Sequence, residues 1–283
     1  KIYANGTKDE PIIFTADEDN AKSGHWGGII INGKAPISGD KEDKSNTALA
    51  EINNKYPYGG NNAADNSGVM TYVSICYAGA RSTQDIEHNG LTLNGVGNGT
   101  TIENIYVLES ADDAIEFFGG TVNVKNLLAV NSDDDMFDFT QGYCGTLSNC
   151  YGIWESDYTS TEADPRGIEA DGNFDGLYPN HLRQSDFVVD GMTIVNNAAN
   201  TTDNVDRMQD VIKIRRGAKA TIKNALVKGT GGAIDLVDMN DGKGAGNAAS
   251  TISITNSLQL TGKKLNGEAV LNEAGSNTGA DTS

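Results

Sequence analysis

The chain has 283 residues and a formal net charge of −18, from 39 acidic and 21 basic side chains. This charge argues against nucleic acids and anionic membranes as partners, and it suits solubility or the binding of cations. No apolar run approaches the roughly 20 residues of a membrane span, so the sequence predicts no transmembrane segment. The 34 glycines and the 7% of aromatic residues are typical of many short strands joined by turns.

Self-similar units occupy the middle of the chain, at residues 91–113, 114–135 and 136–157. Each unit reads as a short strand ending at glycine, a second strand and an acidic turn. A period near 22 residues with two or three strands indicates a coil that closes on itself and stacks on the next. The sequence therefore predicts an all-β parallel β-helix, a solenoid with coils of about 22 residues, as one domain over residues 1–283. Surface loop insertions are expected at 38–68, 155–186, 196–209 and 238–250.

A second marker accompanies the period: an aliphatic residue, any residue and then asparagine. It recurs at Asn104, Asn126, Asn149, Asn224 and Asn256, with Gly191 in the same place. Each amide is expected to donate a hydrogen bond to the amide carbonyl in the neighbouring coil, at a bend of the chain. We expect this asparagine ladder to form a buried row.

Two acidic stretches repeat at an offset of 22 residues, "SADDAIEFFGG" at 110–120 and "NSDDDMFDFTQG" at 131–142. Alternation along each strand predicts phenylalanines inside the coil and charged residues outside. The outward row is then Glu116, Asp138, Glu169, Lys213 and Asp235. Stacked like charges repel unless a countercharge, a cation or water compensates them.

The aspartates that precede these strands allow two interpretations. They either bind Ca²⁺ between adjacent coils or cap the backbone amides of their own turns, and capping needs no further cause. The residues concerned are Asp112, Asp113, Asp133, Asp134 and Asp135.

The segment 171–176 has the pattern D-x-N-x-D-G, which brings alternate oxygens together around a glycine turn. We interpret it as a candidate Ca²⁺ site with the ligands Asp171, Asn173 and Asp175, completed by Glu169 two residues upstream. The alternative is an Asx-rich turn without metal. For Arg215 and its neighbour Arg216, the alternative to a catalytic role is that they neutralise neighbouring acids such as Asp171 across the coil stack.

Three aromatic residues, Trp154, Tyr158 and Tyr178, fall in or beside the insertion 155–186. Flat rings in a loop over a β-helix often hold sugars, so these residues are candidate glycan ligands. The alternative is that they close the loop on the coil.

The cysteines give a weak indication of compartment. Cys144 and Cys150 flank a turn-like segment and either pair or stay free, while Cys76 lies in an apolar strand. We leave the pairing open at this point.

Several segments together resemble a known family, among them "HWGGIIINGKAPI", "RGIEADGN" and "IRRGAKATIKNALV". The family comprises secreted or surface right-handed β-helix proteins of Bacteroidota and marine bacteria, often lipoproteins or secretion-sorted, mostly of unassigned function. The resemblance implies a right-handed helix and an extracellular or outer-membrane location. Because such proteins usually carry further coils upstream, it also implies N-terminal coils before Lys1 and allows a lipid anchor there.

An enzymatic interpretation uses the same residues. Pectin-cleaving β-helix hydrolases place aspartates on successive coils, and polysaccharide lyases of this fold use Ca²⁺ with an Arg or Lys base. If the chain is an enzyme, the catalytic candidates are Asp113, Asp134, Asp135, Lys213 and Arg215. The histidine of the hydrolase pattern does not appear at the matching coil position.

The sequence thus favours a non-enzymatic surface or secreted protein that binds a polysaccharide or a surface protein partner, with Ca²⁺ as a structural ion. The alternatives are a calcium-dependent polysaccharide lyase or glycoside hydrolase acting on acidic polysaccharide, and a structural or accessory component of an outer-membrane complex. Fold resemblance alone cannot choose among them, because one fold hosts many functions.

Overall fold

The computed structural model describes residues 1–283 apart from 42–44, 82–85, 199–207, 232, 240–248, 262–269, 272–273, 277–280 and 283. The predicted loops at 196–209 and 238–250 lie largely outside the described residues. Throughout the part of the chain that the structure describes, no helix is long and apolar enough to cross a membrane.

Short strands account for nearly all of the regular structure, with one 3-10 turn at Phe174–Gly176. The strands, in chain order, are β1 (Ile2–Asn5), β2 (Ile12–Phe14), β3 (Ile29–Asn32), β4 (Thr47–Ala50), β5 (Asn53–Gly59), β6 (Gly68–Cys76), β7 (Leu91–Asn94), β8 (Thr101–Leu108), β9 (Ile115–Phe118), β10 (Val124–Val130), β11 (Phe137–Thr140), β12 (Thr146–Trp154), β13 (Ile168–Asp171), β14 (Asp186–Asn196), β15 (Met208–Arg215), β16 (Lys219–Lys223), β17 (Leu226–Gly229), β18 (Ala233–Asp238), β19 (Thr251–Thr255), β20 (Ser257–Thr261), β21 (Val270–Leu271), β22 (Ala274–Ser276) and β23 (Asp281–Thr282).

Two largely parallel sheets form the walls of the coil. The larger sheet has 13 strands and runs in the order β1-β6-β8-β10-β12-β14-β16-β19-β22, with β2, β17, β20 and β21 beside this path. The smaller sheet has eight strands in the order β23-β18-β15-β13-β11-β9-β7-β3. Since strands β6 to β15 alternate between the two sheets and pair in parallel with the strands of neighbouring coils, the predicted right-handed parallel β-helix is confirmed.

The register confirms the coil length. Phe137 pairs with Ile115 in the smaller sheet, and Val124 pairs with Ile102 in the larger one, each at a separation of 22 residues. Inside the coil, the rings of Phe117, Phe139 and Phe187 stack at centroid distances of 5.0 and 4.2 Å. The alternation predicted for these strands therefore positions the core correctly.

The asparagine ladder exists, but it is not buried. The side-chain amide of Asn126 donates to Asn104 Oδ1 at 2.8 Å, and that of Asn149 donates to Asn126 Oδ1 at 2.6 Å. Asn149 is exposed and the other two are half-buried, so the prediction of a buried row was wrong. All three have φ between 54° and 58°, a left-handed conformation that asparagine tolerates better than most residues.

The predicted surface loop 38–68 contains an antiparallel hairpin, β4 and β5. Its anchor is Tyr58, which is buried and donates a hydrogen bond to Gln141 Oε1 at 2.7 Å. The Tyr58 ring meets Phe118 edge-on at 6.5 Å, and Gly59 N donates to the Gly33 carbonyl at 3.0 Å. These contacts hold the hairpin beside the outward face of the smaller sheet.

All three cysteines are free in the structure. Cys150 points into the core, whereas Cys144 is half-buried and its thiol lies 3.5 Å from the Gly142 carbonyl. The two thiols that the sequence left open are therefore not paired.

Candidate functional site: an acidic cleft

A cleft of about 530 Å³ runs along the outward face of the smaller sheet and is closed on one side by the β4–β5 hairpin. We call it the acidic cleft, because twelve of its lining residues are acidic and one is basic. The acids are Glu51, Glu87, Asp112, Asp113, Glu116, Asp134, Asp135, Asp138, Asp164, Glu169, Asp171 and Asp175, and the base is Arg215.

The floor of the cleft is the outward row of the sheet. Asp138 lies between Glu116 and Glu169 in register, so three acids from successive coils stand side by side. Beyond Glu169 the row continues with Lys213 and then Asp238. The prediction that Asp235 is the last member of this row was wrong. Strand β18 is shifted by three residues from the expected register, so Asp238 pairs with Lys213 and Asp235 pairs with Asp210.

The repeated acidic turns form the adjoining edge of the cleft. Asp112, Asp113, Asp134 and Asp135 all line it, so the 22-residue repeat brings these aspartates together as the sequence suggested. Asp133 does not line it. Its carboxylate accepts hydrogen bonds from the Tyr158 hydroxyl at 3.0 Å and from Thr161 N at 2.7 Å, so it holds the following insertion rather than capping amides of its own turn.

Burial raises the pKa values of the cleft carboxyls. It holds the pKa of Asp112, Asp113, Glu116 and Asp135 well above the ordinary range, with neighbouring acids adding to the effect. Burial also raises the pKa of Asp134 to about 7 and, against the opposing charge of Arg215, that of Asp138 to about 7. Ionised carboxylates in this part of the cleft are thus destabilised by burial and by their acidic neighbours.

Arginines neutralise the far end of the cleft. Arg166 reaches Glu169 at 2.5 Å and Asp210 at 3.0 Å, and Arg215 pairs with Glu169 and, at 2.7 Å, with Asp171. Arg166 and Glu169 are three residues apart, but the pairs Arg166–Asp210 and Arg215–Asp171 join residues 44 positions apart, so most of this network follows from coil stacking.

The predicted Ca²⁺ loop lies within this arginine network. Asp171 pairs with Arg216 at 2.6 Å, and Asp175 also pairs with Arg216. Asn173 Oδ1 accepts a hydrogen bond from Tyr178 N at 3.1 Å. These partners favour the alternative interpretation, in which arginines compensate the acids of a turn without metal.

The predicted glycan aromatics divide into three cases. Trp154 is fully buried and donates to the Ser132 carbonyl at 2.9 Å, so it cannot contact a glycan, and that prediction was wrong. Tyr158 packs on Trp154 at 5.6 Å and closes the loop on the coil. Tyr178 is half-buried and stacks on Phe174, a cleft residue that the sequence reading did not select.

Of the five catalytic candidates, the structure brings four into the cleft: Asp113, Asp134, Asp135 and Arg215. Lys213 belongs to the same outward row, but it is buried in an ion pair with Asp238. Asp113 precedes strand β9, Asp134 and Asp135 precede the neighbouring strand β11, and Arg215 ends strand β15, two rungs beyond β11.

A sequence model of the pectate-lyase-like β-helix domain matches residues 1–282. The chain belongs to the pectate-lyase-like β-helix family. No curated protein and no solved structure gave a significant match. Membership of this family fits a surface or polysaccharide-related protein.

Within this family's fold, sequence reading overlooked several cleft residues. Asn89 precedes β7 in the smaller sheet and donates to Glu116 Oε2 at 2.5 Å. A single asparagine before a strand usually marks a turn, so the sequence did not distinguish Asn89 as a cleft residue. The hairpin residues Glu51 and Tyr58 carried no motif, and only the folded chain shows that the hairpin forms a cleft wall.

Proposed function

We propose that this chain is a surface or secreted protein that binds a polysaccharide chain in the acidic cleft. The observation that carries the proposal is the cleft itself, an open groove along stacked coils whose polar floor is flanked by the half-buried rings of Phe118 and Phe174. Polar groups at regular spacing with a few aromatic faces are suited to sugar rings. The family match supports a polysaccharide-related role.

The test is affinity electrophoresis of the purified protein in gels that contain acidic or neutral polysaccharides. We expect retardation by at least one polysaccharide, and Phe174→Ala should reduce it because the ring lines the cleft. The matched control is Tyr151→Ala, which removes an exposed ring from β12 in the larger sheet. Equal loss in both variants, or retardation by no polysaccharide, would overturn the proposal.

A second candidate function is a lyase acting on acidic polysaccharide, and Arg215 is the observation that favours it. Arg215 is the one basic residue that lines the cleft within the part of the chain that the structure describes, and burial, with Arg216 and Arg166 nearby, lowers its pKa to about 10. A guanidinium that more readily loses a proton suits removal of the proton beside a uronate carboxylate. Its pairing with Glu169 and Asp171 opposes that role, so binding remains the first proposal.

Product analysis separates the two functions. Under the binding proposal, prolonged incubation with uronic-acid polysaccharides leaves chain length unchanged. Unsaturated products that disappear in Arg215→Lys would establish the lyase, since lysine keeps a positive charge but not the bidentate guanidinium. New saturated reducing ends would indicate hydrolysis by the aspartates instead.

A further inference from the structure

The larger sheet exposes apolar side chains where the alternation along a strand normally places polar ones. Past the asparagine ladder, two rows of outward side chains cross its rungs in register. The first row is Ser74, Tyr106, Leu128, Tyr151, Thr193, Leu226 and Leu258. The second row is Cys76, Leu108, Val130, Ile153, Val195 and Lys228. We call the two rows together the apolar face.

The apolar face is open to solvent on several rungs. Leu128, Tyr151 and Leu258 are each 37% exposed, and Tyr106 and Leu226 are half-buried. Contiguous exposed apolar patches mark interaction sites, whereas single exposed apolar residues do not. None of these five residues lines the acidic cleft, so the apolar face is a separate surface.

A row of alternating charge borders the apolar face on the other side of the asparagine ladder. In register, this charged row is Glu103, Lys125, Ser148, Asp190 and Lys223. Asp190 and Lys223 pair at 3.0 Å, yet their side chains remain 37% and 42% exposed. An apolar centre with a charged, solvent-accessible rim is the anatomy of a protein–protein interface.

The order of charges in this row is complementary to its own reverse. Lys125 and Asp190 lie one rung from Ser148 in opposite directions, and Glu103 and Lys223 lie two rungs from it. A two-fold axis along β12 sets each rung before β12 against the equivalent rung after it in a second copy. Lys125 then faces Asp190, and Glu103 faces Lys223, each pair occurring twice. Packed sheets lie about 10 Å apart, a gap that a lysine side chain at the rim can bridge to a carboxylate.

The same axis suits the apolar rows. Tyr151 and Ile153 belong to β12, so each packs on its own counterpart at the centre of the interface. Val130 and Val195 lie one rung away in opposite directions and meet each other. A ring on the axis, surrounded by aliphatic side chains, resembles the desolvated centre that stabilises protein–protein contacts most.

The charged member of the apolar rows also meets an opposite charge. Lys228 lies two rungs from β12 and is exposed, and the axis sets it against Leu108. Glu109 directly follows Leu108 in the chain. The apolar face thus places no like charges opposite each other at this position.

We propose that the chain forms a two-fold symmetric dimer through the apolar face, with the charged row at the rim. The seven rungs from β6 to β20, at about 4.8 Å each, and residues 103–108, at about 3.3 Å each, span roughly 29 by 17 Å, or about 500 Å² per copy. Two copies together cover about 1,000 Å², the lower limit of a specific interface, so the dimer is reversible. Because the apolar face belongs to the larger sheet, both acidic clefts stay open in the dimer.

Sedimentation velocity of the purified chain over a range of micromolar concentrations tests the dimer. We expect the wild type to approach twice the 29.8 kDa of one chain as its concentration rises. Leu128→Lys should stay monomeric, because it places a charge inside the apolar face. Leu182→Lys is the matched control, since Leu182 is 79% exposed and lies outside both rows, and it should dimerise like the wild type. Far-UV circular dichroism checks that each variant folds.

Charge reversal tests the two-fold arrangement. Lys125→Glu alone and Asp190→Lys alone each set like charges opposite each other, so each should raise the dissociation constant by about tenfold or more. An equimolar mixture of these two variants should dimerise again, because every reversed side chain then faces an opposite charge.

A wild type that stays monomeric throughout would overturn the proposal and leave the apolar face for a different protein. Dimers that persist in Leu128→Lys would place the contact on another surface, which also contradicts the proposal. A mixture that associates no more tightly than either charge variant alone would overturn the two-fold arrangement. None of these outcomes bears on polysaccharide binding in the acidic cleft, so the two proposals stand or fall separately.

Discussion

At the scale of single residues, backbone conformation explains the asparagines better than burial does. Every ladder asparagine has a positive φ, and in the coil between Asn149 and Asn224 the same bend is occupied by Gly191, with φ of 77°. Glycine fits this conformation but provides no amide for the ladder. Asn224 donates instead to Asp190 Oδ1 at 2.7 Å.

Gly191→Asn is therefore expected to stabilise the protein. A Cβ at this position would lie 3.6 Å from the nearest atoms of Asn149, which is ordinary contact. The substitution lowers the conformational entropy of the unfolded chain, which is worth about 0.4–1 kcal/mol where the backbone is compatible. Urea unfolding measures the change.

The matched control for that substitution is Gly120→Asn. Its φ is also positive, at 87°, but a Cβ there would lie 2.4 Å from the Val96 carbonyl oxygen. We expect this variant to lose stability. If Gly191→Asn loses as much, the ladder argument is incorrect.

At the scale of elements, a buried side-chain hydrogen bond from Tyr58 to Gln141 anchors the β4–β5 hairpin to the coil. Tyr58 is 3% exposed and Gln141 is 1% exposed, and the hydroxyl of the former donates to the latter at 2.7 Å. Gln141 Nε2 has no partner among the described residues. Removing the hydroxyl would leave both ends of this buried amide unsatisfied.

Tyr58→Phe is expected to lower the free energy of unfolding by about 1–3 kcal/mol, the cost of an unsatisfied buried acceptor. Because the hairpin forms a wall of the cleft, the same variant should weaken polysaccharide binding. Tyr56→Phe is the control, since Tyr56 lies on the same hairpin and is 60% exposed. Unfolding curves that coincide for the two variants would show that the hydroxyl does not anchor the hairpin.

Sequence analysis predicted the rungs well because they depend on short-range alternation and a constant period. Phe117 inside and Glu116 outside follow from the pleat alone. The period also brought the aspartates of successive turns together. What it could not show were side-chain contacts between distant segments without a motif, such as the hydrogen bond from Tyr58 to Gln141.

Trp154 illustrates a second limit of the sequence. A tryptophan beside a long insertion looks exposed, yet β12 extends to this residue and its alternation turns the ring into the core. The insertion itself contains strand β13, so 155–186 comprises two loops around a rung. Insertions change the length of a coil, but along each strand the side chains still alternate between the core and the outer face.

At the scale of the whole molecule, the charge of −18 is distributed unevenly. Twelve of the chain's 39 acidic residues line one cleft, and burial together with neighbouring acids raises the pKa of Asp112, Asp113 and Glu116 among them. Such a cluster reduces the stability of the fold at neutral pH. The cost is consistent with a functional site rather than with solubility alone.

The calcium-free protein is accordingly predicted to be more stable at pH 5 than at pH 8. Burial raises the pKa of Asp171 from an ordinary 3.8 to about 7, and that of Asp210 from 3.8 to about 6. Between about pH 4 and pH 7 the folded state therefore binds more protons than the unfolded chain, so the free energy of unfolding falls as pH rises.

Melting temperatures measured in chelator at constant ionic strength check this sign. The melting temperature should fall from pH 5 to pH 7. Above pH 7, Asp171 and Asp210 should contribute little further change. A melting temperature that climbs steadily with pH would mean that the arginines overcompensate the buried acids.

The acidic cleft is proposed to be the place where this protein holds a polysaccharide. A crystal structure grown with an oligosaccharide that the protein binds tests this proposal most directly. We expect the saccharide to lie between the β4–β5 hairpin and strands β9 and β11. Saccharide bound on the larger sheet, with the cleft empty, would contradict the proposal.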